Sequence, residues 1–201
     1  MVGFTRLDSA RPYDGVLSSI RVDTLRGPDG SHFTREVVEH VNAVAVVPVD
    51  GDDVILVRQY RHAVGADLLE IPAGICDVAG EPAPVTAARE LAEEAHLAAG
   101  TLQQLTVVYN SAGWTDETTT VFLGLALSPV DPPAGYAPEG EEAHLSVVRM
   151  PLAEALEAAG DGRLRDAKTV IGLLAAGRVL DCEAAQGPRA GEPAARGHPD
   201  T

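Results

Sequence analysis

The chain has few basic residues, few cysteines and no long apolar run. Its 201 residues include 15 lysines and arginines against 30 aspartates and glutamates, which gives a net charge of −15. This excess of negative charge argues against a nucleic-acid partner and against an anionic membrane surface. Residues 1–6 lack the apolar segment of a signal peptide, and no later segment is long enough to span a membrane. We therefore expect a cytoplasmic protein.

The cysteine content supports the same expectation. Cys76 and Cys182 are far apart and do not have the spacing of a metal site. Two reduced thiols are the expected state in the cytoplasm, although one disulfide is possible by number. Hydrophobic residues make up 45% of the chain and charged residues 22%, as in ordinary globular proteins. The length suffices for one well-buried domain with an appendage.

Patterning and turn residues divide the chain into three parts. The first, residues 1–42, contains two predicted strands at 16–25 and 33–41, joined by a turn at 27–30. A lone hairpin is marginally stable in water and needs a surface to pack on, and a partner subunit is one candidate. The second part, residues 43–182, is the predicted main domain. The third, residues 183–201, is rich in Gly, Pro, Ala and charges and is predicted to be a disordered tail.

The main domain alternates between strand and helix patterns. Apolar runs predict strands at 43–49, 54–61, 102–109, 118–127 and 144–150. An acidic helix lies between the second and third of these strands, and helices are predicted at 152–159 and 166–180. This order of elements predicts an α+β fold in which helices pack on a mixed sheet.

The acidic helix carries the strongest chemical signal. Glu90, Glu93 and Glu94 share an arc of roughly 100° on its surface, because successive residues turn by about 100°. Like charges at these spacings repel and call for a counter-charge. Mg²⁺ prefers carboxylate oxygens and couples them to substrate phosphates. The alternative is an amphipathic surface helix whose acidic residues are simply solvated.

The wider pattern around this helix resembles the signature of the Nudix hydrolases. The matching residues are Gly74, Glu81, Arg89, Glu90, Leu91, Glu93, Glu94 and Leu97. Two features depart from that signature: six residues instead of five separate Gly74 from Glu81, and His96 replaces a Gly. The extra residue falls in the loop before the helix. His96 falls at the helix end, where a left-handed residue is usual, and His adopts that conformation more readily than most residues.

The resemblance implies a Nudix-type α/β/α sandwich with a mixed sheet, preceded by an N-terminal antiparallel hairpin module. It also implies hydrolysis of a pyrophosphate with Mg²⁺, for which Mn²⁺ is a possible substitute. The implied metal ligands are Glu90, Glu94 and the backbone carbonyl of Ala73, and Glu93 either binds metal or positions a water. Arg89 is expected to orient Glu93, and Glu81 is expected to stabilise the junction of loop and helix.

Beyond the signature, the resemblance is greatest to ADP-ribose pyrophosphatases and related nucleoside diphosphate sugar hydrolases. Such enzymes exchange N-terminal strands between subunits, which implies a homodimer formed through residues 1–42. The resemblance assigns substrate binding to Arg61, Arg35, Trp114 and Glu70. For Arg61 the alternative is a surface salt bridge, and for Trp114 it is ordinary packing.

The same family places a glutamate on the loop before the last strand as general base or extra ligand. Glu142 and Glu141 fit its spacing better than Glu139, and the sequence does not separate the two. Ala112 replaces a proline that marks ADP-ribose-specific members, so other nucleoside diphosphate sugars stay candidates. Two further alternatives are a nucleoside triphosphate pyrophosphohydrolase that removes damaged nucleotides and a nucleotide-sensing module without catalysis.

Overall fold

The computed structural model describes residues 3–186, which form two β-sheets and three helices. The first sheet is antiparallel in the order β1-β2-β3, with strands β1 (Thr5–Asp14), β2 (Ser18–Arg26) and β3 (His32–His40). The predicted hairpin is therefore two strands of a three-stranded sheet. β1 escaped prediction because it is polar and contains Pro12. Proline is tolerated there because β1 is an edge strand whose register shifts between Ala10 and Tyr13.

The second sheet has seven strands and is mixed. Its strands are β4 (Ala43–Asp50), β5 (Asp53–Arg61), β6 (Ala66–Glu70), β7 (Ala73–Ile75), β8 (Leu97–Tyr109), β9 (Thr118–Pro129) and β10 (Ser146–Pro151). The main path is β10-β5-β4-β9-β8, while β6 pairs with β5 and β7 pairs with β4. The pair β4–β9 is parallel and the other pairs are antiparallel.

Helices cover both faces of this sheet. They are α1 (Ala83–Ala95), α2 (Leu152–Asp161) and α3 (Ala167–Gln186). Along β4, Val44 and Val46 pack in a cluster with Leu91 of α1, whereas Ala45 and Val47 pack in a cluster with α2 and α3. Successive strand side chains point to opposite faces, so a continuous apolar run serves two cores. The predicted α/β/α sandwich with a mixed sheet is confirmed.

The described chain departs from the predicted elements mainly at their ends. α3 runs through residues 183–186, which the sequence had placed in the tail, because Ala184, Ala185 and Gln186 favour helix. The rest of the predicted disordered tail, residues 187–201, lies outside the described residues. None of the helices within residues 3–186 has the length and apolar content needed to cross a membrane.

The two sheets meet at the loop between β8 and β9. The backbone N–H of Val38 in β3 donates to the carbonyl of Trp114 at 2.7 Å. The hydroxyl of Thr115 donates to the carbonyl of Val38 at 2.8 Å. These bonds attach a loop of the main domain to the N-terminal sheet.

Candidate active site

Proline and histidine mark the two ends of α1. Pro82 precedes the helix and Pro84 lies in its first turn, where a missing N–H costs nothing. His96 ends the helix with φ 56° and ψ 38°, and its N–H donates to the carbonyl of Ala92 at 3.2 Å. The predicted left-handed residue at this position is confirmed. The extra residue of the Gly74–Glu81 spacer lies in the loop between β7 and α1, also as predicted.

The carboxylates of α1 pack against the backbone of β7. Glu90 and Glu94 are buried and Glu93 is half-buried. The backbone N–H of Ala73 donates to Oε2 of Glu94 at 2.9 Å. A Cβ atom added to Gly74 would lie 2.1 Å from Cδ of Glu90, so only glycine leaves room for that carboxylate. Two of the predicted ligands, Glu90 and Glu94, therefore pack against the start of β7.

Arg89 bridges acidic residues of α1 and of the loop before this helix. Its Nη1 atom donates to Glu90 at 2.8 Å and to Glu93 at 3.1 Å. Its Nη2 atom donates to Glu81 at 3.2 Å and to Asp77 at 3.3 Å. Arg89 thus has the predicted contact with Glu93 and also ties the loop before α1 to the helix. It neutralises one charge of the cluster, whereas Glu94 has no ion-pair partner within residues 3–186.

Burial and mutual repulsion raise the pKa of the two buried carboxyl groups. Burial raises the pKa of Glu94 to about 8, against the effect of the N–H of Ala73. Burial, with repulsion from Glu93, raises the pKa of Glu90 to about 7, although Arg89 opposes the shift. A cation bound between such groups would favour their charged forms.

The chemistry of the donor set suits a hard divalent cation. Within residues 3–186, no three acidic, histidine or cysteine side chains converge tightly enough to enclose an ion. Two of the carboxylates, those of Glu90 and Glu93, are paired with Arg89. Carboxylate oxygens on one helix face, two of them buried with raised pKa values, are nevertheless the ligands that Mg²⁺ and Mn²⁺ prefer.

A cleft of about 370 Å³ is lined by Ala73 and Gly74 together with Arg61 and Lys168. Arg61 donates two hydrogen bonds of 2.7 Å to the carboxylate of Glu70. Glu70 is fully buried and is not among the residues that line this cleft, and its assignment to substrate binding stays a prediction. Its carboxylate holds Arg61 in an ion pair that joins a buried carboxylate to a guanidinium side chain that is 37% exposed.

A second cleft of about 360 Å³ faces the carboxylates from the loop before β10. Its lining includes Glu93, Glu94, Glu142 and Tyr136, whereas Glu141 is absent from it. Burial, reinforced by Glu142 and the acidic residues of α1, raises the pKa of Tyr136 to about 12. The structure therefore brings Glu142 to the acidic cluster. Tyr136 was missed because a lone tyrosine in a Pro/Gly-rich loop has no pattern.

Arg35 and Trp114 come together at a third cleft, of about 550 Å³, between the N-terminal sheet and the β8–β9 loop. The guanidinium carbon of Arg35 lies 4.6 Å from the ring centre of Phe33, within cation–π range. Trp114 is 57% exposed in the single chain, and its role in substrate binding stays a prediction. These two residues do not line the clefts beside Arg61 or the carboxylates.

Comparison with known proteins identifies the family. The model of the NUDIX domain matches residues 39–171. The chain belongs to the Nudix family. It is 40% identical over 173 residues to an ADP-ribose pyrophosphatase of Mycobacterium tuberculosis, covering 86% of this chain and 82% of that protein. It is 34% identical to an ADP-ribose pyrophosphatase of Bacillus subtilis, covering 78% and 83%.

A solved structure shows the same fold along nearly the whole chain. The protein described as an ADP compounds hydrolase superimposes with a TM-score of 0.77 at 25% identity, covering 92% of this chain and 96% of that one. The protein is therefore a Nudix hydrolase. Members of this family generally use a divalent metal ion, and the acidic face of the Nudix helix α1 is where this chain offers carboxylates for one.

Sequence reasoning also missed Lys168 and Asp166, both of which line the cleft of Arg61. They lie at the start of α3, about a hundred residues from Arg61 in the chain. The pairing of an acid and a base at a helix start is too common to single out without the fold. The sequence feature that could have pointed to them is the predicted helix start at 166, because polar groups in the first turn of α3 can face the cleft.

Proposed function

We propose that this Nudix hydrolase cleaves the pyrophosphate of a nucleoside diphosphate sugar with Mg²⁺, and that ADP-ribose is the foremost substrate. The observation that carries the proposal is the position of Glu90 and Glu94. Both are buried on α1 with raised pKa values, and they contact Ala73 and Gly74, which line the cleft of Arg61. The two ADP-ribose pyrophosphatases among its relatives support this choice of substrate.

The residues around the cleft have complementary tasks in the proposal. Glu90, Glu94 and the carbonyl of Ala73 would hold Mg²⁺, and Glu93 would bind it or position a water. The bound cation would neutralise charge on phosphoryl oxygens and lower the pKa of the attacking water. Arg61 would bind the diphosphate from the opposite side with its guanidinium.

In the proposed reaction, a water oxygen forms a new bond to one phosphorus and the bond to the bridging oxygen breaks. The products are a nucleoside monophosphate and a sugar phosphate, and the two hydrogens of the water are released as two protons when both product phosphates are fully ionised. Glu142 is the proposed base, because it shares a cleft with Glu93 and Glu94 while Glu141 does not. Arg35 and Trp114 would contact the nucleoside from their own cleft, in which an exposed indole is available for stacking.

Product analysis tests the substrate. Purified protein with Mg²⁺, and separately with Mn²⁺, would be incubated with ADP-ribose, ADP-glucose, GDP-mannose, UDP-glucose, NADH and oxidised dGTP, and the products separated by chromatography. We expect AMP and ribose phosphate to form fastest from ADP-ribose. Faster cleavage of another sugar nucleotide would change the substrate assignment and leave the proposed reaction unchanged. Release of pyrophosphate from oxidised dGTP alone would contradict the proposal.

Matched loop variants test the base. Glu142→Gln should lower kcat by about a hundredfold or more, as general-base loss commonly does. Glu141→Gln removes the same charge one residue away and should leave kcat within about twofold, since exposed charges contribute little. Equal losses in both variants would show that loop charge, and not the position of Glu142, matters.

We also propose that the enzyme is a cytoplasmic homodimer formed through residues 1–42. Every residue of β1, including Tyr13, is exposed in the single chain, and the turn between β1 and β2 adds the exposed apolar side chains of Val16 and Leu17. Apolar surface concentrated in one module is typical of a surface covered by another protein. The two cysteines are unpaired in the described chain, in keeping with a reducing compartment.

Light scattering after gel filtration tests the dimer. Leu17→Asp places a charge in the proposed interface and should yield a monomer. Val64→Asp is the control, because Val64 is also 63% exposed but lies between β5 and β6 of the main sheet. A monomeric wild-type protein, or dissociation by the control as well, would contradict an interface at the N-terminal sheet.

A further inference from the structure

The first turn of α3 is joined to Arg61 through a buried carboxylate. Glu70 has no exposed surface, and both of its oxygens accept from Arg61 at 2.7 Å. Nζ of Lys168 also donates to Oε2 of Glu70, and it donates to Asp166 at 3.0 Å. Two cations and two anions therefore form one network between the end of β5 and the start of α3.

The geometry of this network determines which side of Arg61 faces the cleft. Nε and Nη2 of Arg61 are bound to Glu70, and within residues 3–186 no protein partner is found for Nη1. Glu70 cannot rotate without giving up a bond to Lys168 or to Arg61. Because a guanidinium is planar and its bond to carboxylate is bidentate, fixing the carboxylate fixes the plane of the guanidinium.

The same turn of α3 also supports the backbone beside the carboxylates of α1. Asp166 accepts from the N–H of Thr169 at 2.9 Å and from its hydroxyl at 2.6 Å. The oxygen of that hydroxyl accepts from the N–H of Ile71 at 2.9 Å. Two residues further on, the N–H of Ala73 binds Glu94. The segment from Ile71 to Ala73 is thus held by α3 at one end and by α1 at the other.

We propose that Lys168 is a positioning residue for the reaction: it holds Glu70 so that Arg61 keeps its free edge toward the diphosphate. The part that concerns the diphosphate rests on the proposed function. Lys168 acts through Glu70 and not by direct contact with substrate, because the two carboxylates that it binds offset its charge together with that of Arg61. The network as a whole is neutral, so its contribution is orientation and not attraction.

The proposal is tested first without any substrate. Nε–H of Arg61 donates to a buried carboxylate and should exchange slowly with solvent, so its ¹⁵N-detected signal, assigned through Arg61→Lys, reports the orientation of the guanidinium. Lys168→Met should speed this exchange about tenfold or more, and Lys168→Arg, which can also donate to Glu70, should restore it. Unchanged exchange in a folded Lys168→Met protein would overturn the proposal. Lys168→Ala, which also removes the donor to Glu70, repeats the test if Lys168→Met fails to fold.

Kinetics with the best substrate of the panel then separate positioning from general support. Lys168→Met should raise KM about tenfold while kcat stays within about threefold, because Arg61 binds the diphosphate in ground and transition states alike. Arg163→Met is the control: it removes one positive charge from the loop before α3, lines no part of the Arg61 cleft and should change neither constant. Equal effects of both variants would show that Lys168 contributes only its positive charge, which would contradict the positioning role.

A double-mutant cycle completes the test. If Lys168 acts only through Arg61, Lys168→Met should add nothing to the KM of Arg61→Lys. Independent, multiplicative effects of the two changes would overturn the assignment. Should the wild-type protein cleave none of the substrates, the proposed function fails, whereas the exchange of the Arg61 Nε–H still decides the positioning role.

Discussion

Glu70 and Glu94 are both buried carboxylates, yet their pKa values move in opposite directions. Glu70 is 0% exposed and Glu94 is 5% exposed. Burial acts to raise the pKa of Glu70, but Arg61 and Lys168 together bring it below the usual value. Burial raises the pKa of Glu94 to about 8, and among the described residues the single direct hydrogen bond to its carboxylate comes from the N–H of Ala73.

The difference lies in where each carboxylate finds its positive charge. Taking a carboxylate out of water costs several kcal/mol unless a partner offsets that cost. For Glu70 the partners are built into the chain, so the group is suited to hold a structure together. For Glu94 the part of the chain that the structure describes offers no ion pair, so the group is suited to recruit a cation. Strongly raised pKa values of this kind concentrate at functional sites.

The largest expected effect is the loss of activity when Glu94 is changed. Glu94→Gln keeps the size of the side chain and removes a proposed ligand, so kcat should fall about a thousandfold in saturating Mg²⁺. The measurement is single-substrate kinetics with the substrate that wild-type protein cleaves best. Glu157→Gln, on the exposed face of α2, is the control. Near-normal turnover of Glu94→Gln would remove Glu94 from the metal site.

The second expected effect concerns stability, for which Glu70 should matter more than Glu94. Glu70→Gln leaves Arg61 and Lys168 without their shared anion and should lower the free energy of unfolding by about 3 kcal/mol, as breaking a buried ion pair does. Glu94→Gln removes a buried charge without an ion pair and should leave that free energy unchanged or higher at pH 8 without metal. Urea unfolding of both variants measures the difference. Equal losses would show that burial alone, and not pairing, decides the role of each carboxylate.

The sequence predicts the sandwich because its periodicities are local. The strands β4 and β5 are apolar at consecutive positions, and the acidic helix has one small-residue face, so each pattern indicates its own packing. β1 could not be predicted in the same way. Its residues are polar and include Pro12, and its strand conformation comes from pairing with β2 and not from its own side chains.

The same distinction applies to the site. Glu90, Glu93 and Glu94 were predicted together because helix geometry places them on one face from spacing alone. Lys168 was not, because its partner Glu70 lies 98 positions earlier in the chain and only the fold brings them together. The resemblance assigned Glu70 to substrate binding, and the structure shows its carboxylate paired with Arg61 and Lys168. Their roles in catalysis stay predictions until the variants are measured.

The smallest expected effect is a dependence of stability on pH and Mg²⁺. In the folded protein the carboxyl of Glu94 keeps its proton up to about pH 8, whereas the ordinary pKa of this group is 4.5. The folded state then binds more protons than the unfolded state in this window, so without metal the stability should fall as pH rises from about 4.5 to 8.

Mg²⁺ at about a hundred times its Kd should restore about 2.7 kcal/mol at pH 8.5 and less at pH 6, where protons compete. Thermal unfolding with Mg²⁺ or with chelator measures both trends, and Glu94→Gln should flatten them. An Mg²⁺ effect that is larger at pH 6 would mean that the cation binds elsewhere.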